Sequence, residues 1–69
     1  MDRITVGSKI RRLREERALN QTELAERAGI TAVHLGKIER GESYPRPRTR
    51  RRLAEALGVD PKELRREDG

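Results

Sequence analysis

Twenty-two residues from Asn20 to Gly41, NQTELAERAGITAVHLGKIERG, leave this chain little choice of fold. Asn20 is a strong N-cap, and Glu23 three positions later completes a capping box, so a helix starts at Gln21. Leu19 before the cap and Leu24 in the first turn form a hydrophobic staple. Leu24, Ala25 and Ala28 give that helix one narrow apolar stripe. Gly29 stops it, because a left-handed residue is needed there and only Gly adopts that conformation cheaply. The pattern then repeats at once. Ile30 and Leu35 flank the cap Thr31, a second helix runs to about Arg40, and Gly41 follows as its stop. Two short helices with Gly at the corner make a helix-turn-helix.

The rest of the chain surrounds this pair with further short helices. Thr5 caps a first helix whose apolar positions Val6, Ile10 and Leu13 recur at helical spacing, and which ends near Ala18. Its other faces carry charge, with Arg11–Glu15 and Arg12–Glu16 four apart and worth about 0.3 kcal/mol each. Glu42 to Arg46 is a loop marked by Ser43 and Pro45. Pro47 suits the first position of a fourth helix, where its missing N–H has no helical partner. Leu53, Ala54 and Leu57 line that helix and Gly58 stops it. Val59-Asp60-Pro61-Lys62-Glu63-Leu64 repeats the staple and capping box and opens a short fifth helix. Residues 1–3 are expected to be a frayed end and residues 65–69 a polar tail. The expected core is Val6, Ile10, Leu13, Leu19, Leu24, Ala25, Ala28, Ile30, Leu35, Ile38, Leu53, Ala54, Leu57, Val59 and Leu64.

With 69 residues the chain is one domain, 1–69, with an ordered core of about 5–66, near the lower size limit for folding unaided. It has no Cys, which removes disulfides and cysteine-based zinc sites. Only 32% of residues are hydrophobic and 42% are charged, fractions that by themselves also fit a disordered chain. Caps and periodicity argue for a helical bundle instead. The net charge is +5 and 14 of the 17 basic residues are Arg, a balance that points to a polyanion, nucleic acid before membrane. No apolar run approaches the roughly 20 residues that span a bilayer, and the N-terminus lacks the apolar core of a signal peptide. A cytoplasmic location is expected.

NQTELAERAG-ITAVHLGKIERG closely resembles the helix-turn-helix of the lambda-repressor and Cro-like (XRE-type) DNA-binding transcription regulators. The likeness extends outward from VGSKIRRLREERALNQ to LAEALGVDPKEL, covering roughly residues 6–64. Its most specific elements are Gln21 opening the first motif helix, Leu24-Ala25, Gly29, and the ending Ile38-Glu39-Arg40-Gly41. The expected fold is therefore all-α, a compact five-helix bundle with the helix-turn-helix in helices 2 and 3. The run RPRTRRR departs from the family: at Pro47 and Arg50 many relatives carry apolar residues. Either the start of that helix is less buried, or Arg stems cover the core while their heads reach water.

Gln21 places an amide and free N–H groups at the positive end of a helix, which suits a phosphate oxygen, and the resemblance implies the same role. The second motif helix would be the recognition helix in a DNA major groove. Leu35 and Ile38 face inward by spacing, which leaves Ala32, Val33, Gly36, Lys37 and Arg40 outside. Ala32 and Val33 can meet a thymine methyl, and Lys37 can donate to guanine O6 and N7. The resemblance assigns base contact to Thr31, Ala32, Val33 and Lys37. Gly36 inside a helix costs about 1 kcal/mol relative to Ala, either to permit close approach to DNA or as a tolerated residue. Backbone phosphate contacts are expected from Gln21, His34, Arg40, Ser43, Arg46 and Arg48, within a basic block that continues through Arg50, Arg51 and Arg52. That block is either a phosphate-binding surface or a solvated face. The family's interhelical ion pair falls on Arg14 and Glu39.

A single short recognition helix reads only a few base pairs, and the family meets this by binding as two-fold dimers on inverted repeats. Tyr44, the sole aromatic residue, Pro45 and Leu64 are the candidates for a weak dimer contact. The leading expectation is a sequence-specific regulator of double-stranded DNA, a repressor of bacterial or phage origin associated with the nucleoid. The alternative is an antitoxin-type module whose main partner is a protein and which binds DNA for autoregulation. An enzyme has little support: the one His, His34, has no Cys or second His for a metal and no Ser–acid pair for catalysis. No catalytic residue, metal or cofactor is expected.

Overall fold

The computed structural model describes residues 5–65. The frayed end expected at residues 1–3 and the tail beyond Arg65 lie outside them. Four α-helices follow in order: α1, Val6–Glu16; α2, Gln21–Ala28; α3, Ala32–Glu39; and α4, Pro47–Leu57. A single 3-10 turn, Pro61–Leu64, closes the described chain.

Three of the four helices start where a short polar side chain precedes them. The Ser8 N–H donates to Thr5 Oγ1 at 3.0 Å while the Thr5 N–H donates to Ser8 Oγ at 2.9 Å, a capping box built with Ser instead of Glu. The Glu23 N–H donates to Asn20 Oδ1 at 2.7 Å and Glu23 Oε1 accepts from the Asn20 N–H at 2.9 Å. Thr31 Oγ1 accepts from the His34 N–H at 3.0 Å. α4 starts differently, on Pro47 after Arg46, which makes no side-chain cap bond.

All four helices end through one device. A residue just past the helix turns left-handed, and the next N–H reaches back five residues to a helical carbonyl: Leu19 to Arg14, Ile30 to Ala25, Glu42 to Lys37, and Val59 to Ala54. Gly29 (φ 72°) supplies the left-handed residue after α2, and Gly41 and Gly58 do so after α3 and α4. After α1 it is Ala18, at φ 55°, the only non-glycine residue with positive φ among those described. α1 therefore ends at Glu16, two residues before the boundary expected near Ala18.

The expected fifth helix is corrected to a 3-10 turn. Asp60 Oδ1 accepts from the Lys62 N–H at 2.9 Å, in place of a capping box with Glu63, and Arg65 is already extended.

α1 packs on α3, α2 on both α3 and α4, and the 3-10 turn on α4. The buried core is Val6, Ile10, Leu13, Leu24, Ala25, Ala28, Leu35, Ile38, Leu53, Ala54, Leu57 and Leu64. Leu19, Ile30 and Val59, expected inside, are only partly buried against it. All three follow a left-handed residue, so they cover the core from the corner of a turn. α1 comes close to the backbone at the end of α3 at Gly7. A Cβ there would overlap the Ile38 carbonyl and lie 2.8 Å from that of Glu39, so backbone meets backbone.

Candidate nucleic-acid interface

The end of α3 is fastened by a buried polar network. Arg14 Nε donates to Glu39 Oε2 at 2.7 Å and Nη2 to Oε1 at 3.1 Å, a two-pronged pair between α1 and α3. Arg14 Nη1 also donates to the Leu19 carbonyl at 2.8 Å, tying in the loop before α2. Gln21 Nε2 completes the network by donating to Glu39 Oε1 at 3.0 Å. The Arg14 and Glu39 side chains are only 11% and 3% exposed, so the pair sits out of water. The guanidinium is held above its already high value, first by the hydrogen bond from Arg14 to Glu39, against the opposing effect of burial. One carboxylate thus fixes α3 relative to both α1 and the start of α2.

Gly36 was expected outside and is instead buried. The Gln21 amide and the Arg40 guanidinium close over it: a Cβ at Gly36 would lie 3.7 Å from Gln21 Oε1 and 3.1 Å from Arg40 Nη1. A side chain added at Gly36 would therefore meet these two groups first.

The outward side of α3 carries Thr31, Val33 and Lys37, all exposed, with Ala32 and His34 half-buried beside them. Val33 is 71% exposed, which for an aliphatic residue in the first turn of a helix is unaccounted for by the packing of this chain. Gln21 and Ser43 are half-buried, and Arg40, Arg46 and Arg48 are exposed. Arg40 is not free: its Nε donates to Glu42 Oε2 at 2.8 Å. Of the basic run on α4, Arg50 is half-buried, with a buried Nε that lacks a hydrogen-bond partner, so its stem lies inward while Arg51 and Arg52 face water.

Two of the three expected dimer-contact residues are not available for that role. Pro45 is among the fully buried side chains and Leu64 is 0% exposed. The loop from α3 to α4 carries Pro45 into the core, and Leu64 closes the base of α4. Tyr44, 40% exposed, remains on the surface. Sequence reasoning also passed over Gly7, although a Gly on the same helical face as Ile10 and Arg14 signals close approach. It passed over Glu42 too, whose two-residue spacing from Arg40 matches no helical pairing rule.

No helix among the described residues is long and apolar enough to cross a membrane, and no group of His, Asp or Glu among them could hold a metal ion.

The family model for the helix-turn-helix matches residues 10–64. A transcriptional regulator of the helix-turn-helix type from Sinorhizobium fredii, y4dJ, itself uncharacterised, is 44% identical over 59 residues, covering 86% of this chain and 77% of that protein. The immunity repressor protein of Bacillus phage phi105 is 41% identical over 56 residues, covering 81% of this chain and 39% of the repressor. The DNA-binding domain of the P22 c2 repressor superposes with a TM-score of 0.88 at 28% identity, covering 99% of this chain and 90% of the domain. The P22 c2 repressor in complex with a synthetic operator superposes with a TM-score of 0.86 at 27% identity, covering 90% of this chain and 94% of that one.

Proposed function

The chain belongs to the helix-turn-helix family of XRE type, and from that membership we propose that it is a sequence-specific DNA-binding transcriptional repressor that lays α3 in the major groove of duplex DNA. The observation that carries the reading is the contrast across α3. Its inner side is held by Leu35, Ile38 and the Glu39 network, while Thr31, Val33 and Lys37 stand outside.

In this reading each group does a distinct task. Val33, with Ala32 beside it, packs on a thymine methyl, and Lys37 donates to guanine O6 and N7. Thr31 keeps its hydroxyl proton available while its oxygen caps α3. Gln21, held by Glu39 through one amide hydrogen, turns its second toward a phosphate, and the first-turn N–H groups of α2 add to that field. His34, Arg40, Ser43, Arg46 and Arg48 supply further phosphate contacts, which position the protein without reading sequence. The protein has no catalytic role and works in the cytoplasm, where its DNA lies.

Two copies bind an inverted repeat, their α3 helices entering successive major grooves about 34 Å apart. Tyr44 anchors the contact between them, and the small area makes the dimer weak until DNA completes it. The test is binding to a labelled duplex across a salt series. The logarithm of the association constant should fall linearly with log salt, with a slope of about −0.9 for each phosphate neutralised. Absence of binding at low salt, or a flat dependence, refutes the proposal. Sedimentation of the complex then distinguishes two copies per operator from one.

A further inference from the structure

Arg40 and Glu42 stand just past the end of α3, outside the buried network. Arg40 Nε donates to Glu42 Oε2 at 2.8 Å, and Nη2 lies 3.5 Å from Oε1, so the carboxylate covers one edge of the guanidinium. Both side chains are more than half exposed. The pair forms because Gly41 turns the chain at φ 80° and the Glu42 N–H bonds back to the Lys37 carbonyl at 2.9 Å. The Glu42 carboxyl is held below the ordinary carboxylate range, first by the hydrogen bond from Arg40 and lastly by the charge of Lys37. A carboxylate thus sits directly on Arg40, a cation of the surface assigned to DNA. The Nε–Nη2 edge it covers is one of the edges through which arginine can take a phosphate by two parallel N–H bonds.

We propose that Glu42 is an intramolecular stand-in for DNA phosphate: its carboxylate occupies Arg40 in the free protein, leaves when Arg40 takes a phosphate, and so limits affinity for duplex DNA of any sequence. The inference rests on the DNA-binding reading above. The limit is independent of sequence because a phosphate carries no base information. It is modest because an exposed ion pair holds weakly, which corresponds to a two- to fivefold change in affinity, to order of magnitude. A carboxylate that only oriented Arg40 would have the opposite effect, since removing it would loosen the phosphate contact.

The experiment is a two-by-two comparison of wild type, Glu42→Gln, Arg40→Ala and the double variant, each titrated against one fluorescent random-sequence duplex at fixed salt. Glu42→Gln should bind about two- to fivefold more tightly than wild type, with an unchanged melting temperature. In the Arg40→Ala background the same substitution should lose most of that gain. Weaker or unchanged binding by Glu42→Gln overturns the proposal. So does an equal gain in both backgrounds, which would make Glu42 a bulk charge acting without Arg40. If wild type itself fails to bind the duplex, the DNA-binding reading falls first and this one with it. If wild type binds with steep salt dependence and Glu42→Gln matches it, only this inference is lost.

Discussion

Glu39 and Arg40 are neighbours in sequence, yet the ion pairs they make belong to different regions of the molecule. Glu39 faces inward and joins Arg14, 25 residues away, through two hydrogen bonds in a dry site. Arg40 faces water and joins Glu42, two residues away, across a turn. The charges and donor groups are alike, and burial separates the consequences. Inside, losing one partner strands an unpaired charge, so the pair dictates the angle between α1 and α3. Outside, water replaces either partner at little cost, so the pair is free to exchange with a ligand. The end of α3 is thus tied through a buried pair on its core side and through an exposed, exchangeable pair on its outer side.

The largest expected effect is at Glu39. Glu39→Ala leaves Arg14 buried with only the Leu19 carbonyl and removes the anchor of Gln21, at a cost of about 3–5 kcal/mol. For so small a core that amounts to most of the stability, and the variant should be largely unfolded by circular dichroism at room temperature. A melting temperature close to wild type would mean that the pair is dispensable and the contrast false.

Next comes Gly7→Ala, which tests the same α1–α3 seam without touching a charge. The new methyl meets the Ile38 and Glu39 carbonyls, which no side-chain rotation can move aside. About 1–3 kcal/mol should be lost, although Ala is the better helix former. Thermal unfolding that shows no loss would place α1 farther from α3 than described.

Ala18→Gly should act in the other direction. Ala18 holds a left-handed backbone at φ 55° while the other three helix ends give that position to Gly. A gain of about 0.5–1 kcal/mol is expected, measured as a higher denaturation midpoint. The smallest effect belongs to Glu42→Ala, which should leave the melting temperature unchanged. Destabilisation by Glu42→Ala comparable to that by Glu39→Ala would erase the distinction between the two pairs.

Much of this fold was legible because its signals are local. Thr5, Asn20 and Thr31 are short polar caps directly before an apolar period, and Gly29, Gly41 and Gly58 are stops directly after one. Periodicity then placed Ile10, Leu24, Leu35, Ile38, Leu53 and Leu57 inside. The failures are matters of tertiary placement. A Pro between two helices suggests an exposed loop, and only the path of the chain from α3 to α4 shows Pro45 buried. Gly36 occupies an outward position on a helical wheel, and two side chains from elsewhere cover it. The fifth helix failed because a cap and a staple specify only the start of a turn, and the backbone is already extended at Arg65. Arg14 and Glu39 lie outside any hydrophobic pattern, and only family resemblance singled them out.

The central claim is that the outward side of α3 reads base pairs while its surroundings only grip the backbone. The most direct measurement is selection of bound sites from random duplex DNA by wild type and by Lys37→Ala, with affinities taken on the selected site and on random sequence. Lys37→Ala should relax preference at one base-pair position, costing roughly 1–3 kcal/mol there, and leave affinity for random DNA nearly unchanged. An equal loss on selected and random DNA, with every position of the selected motif intact, would contradict the claim and make Lys37 one more phosphate contact.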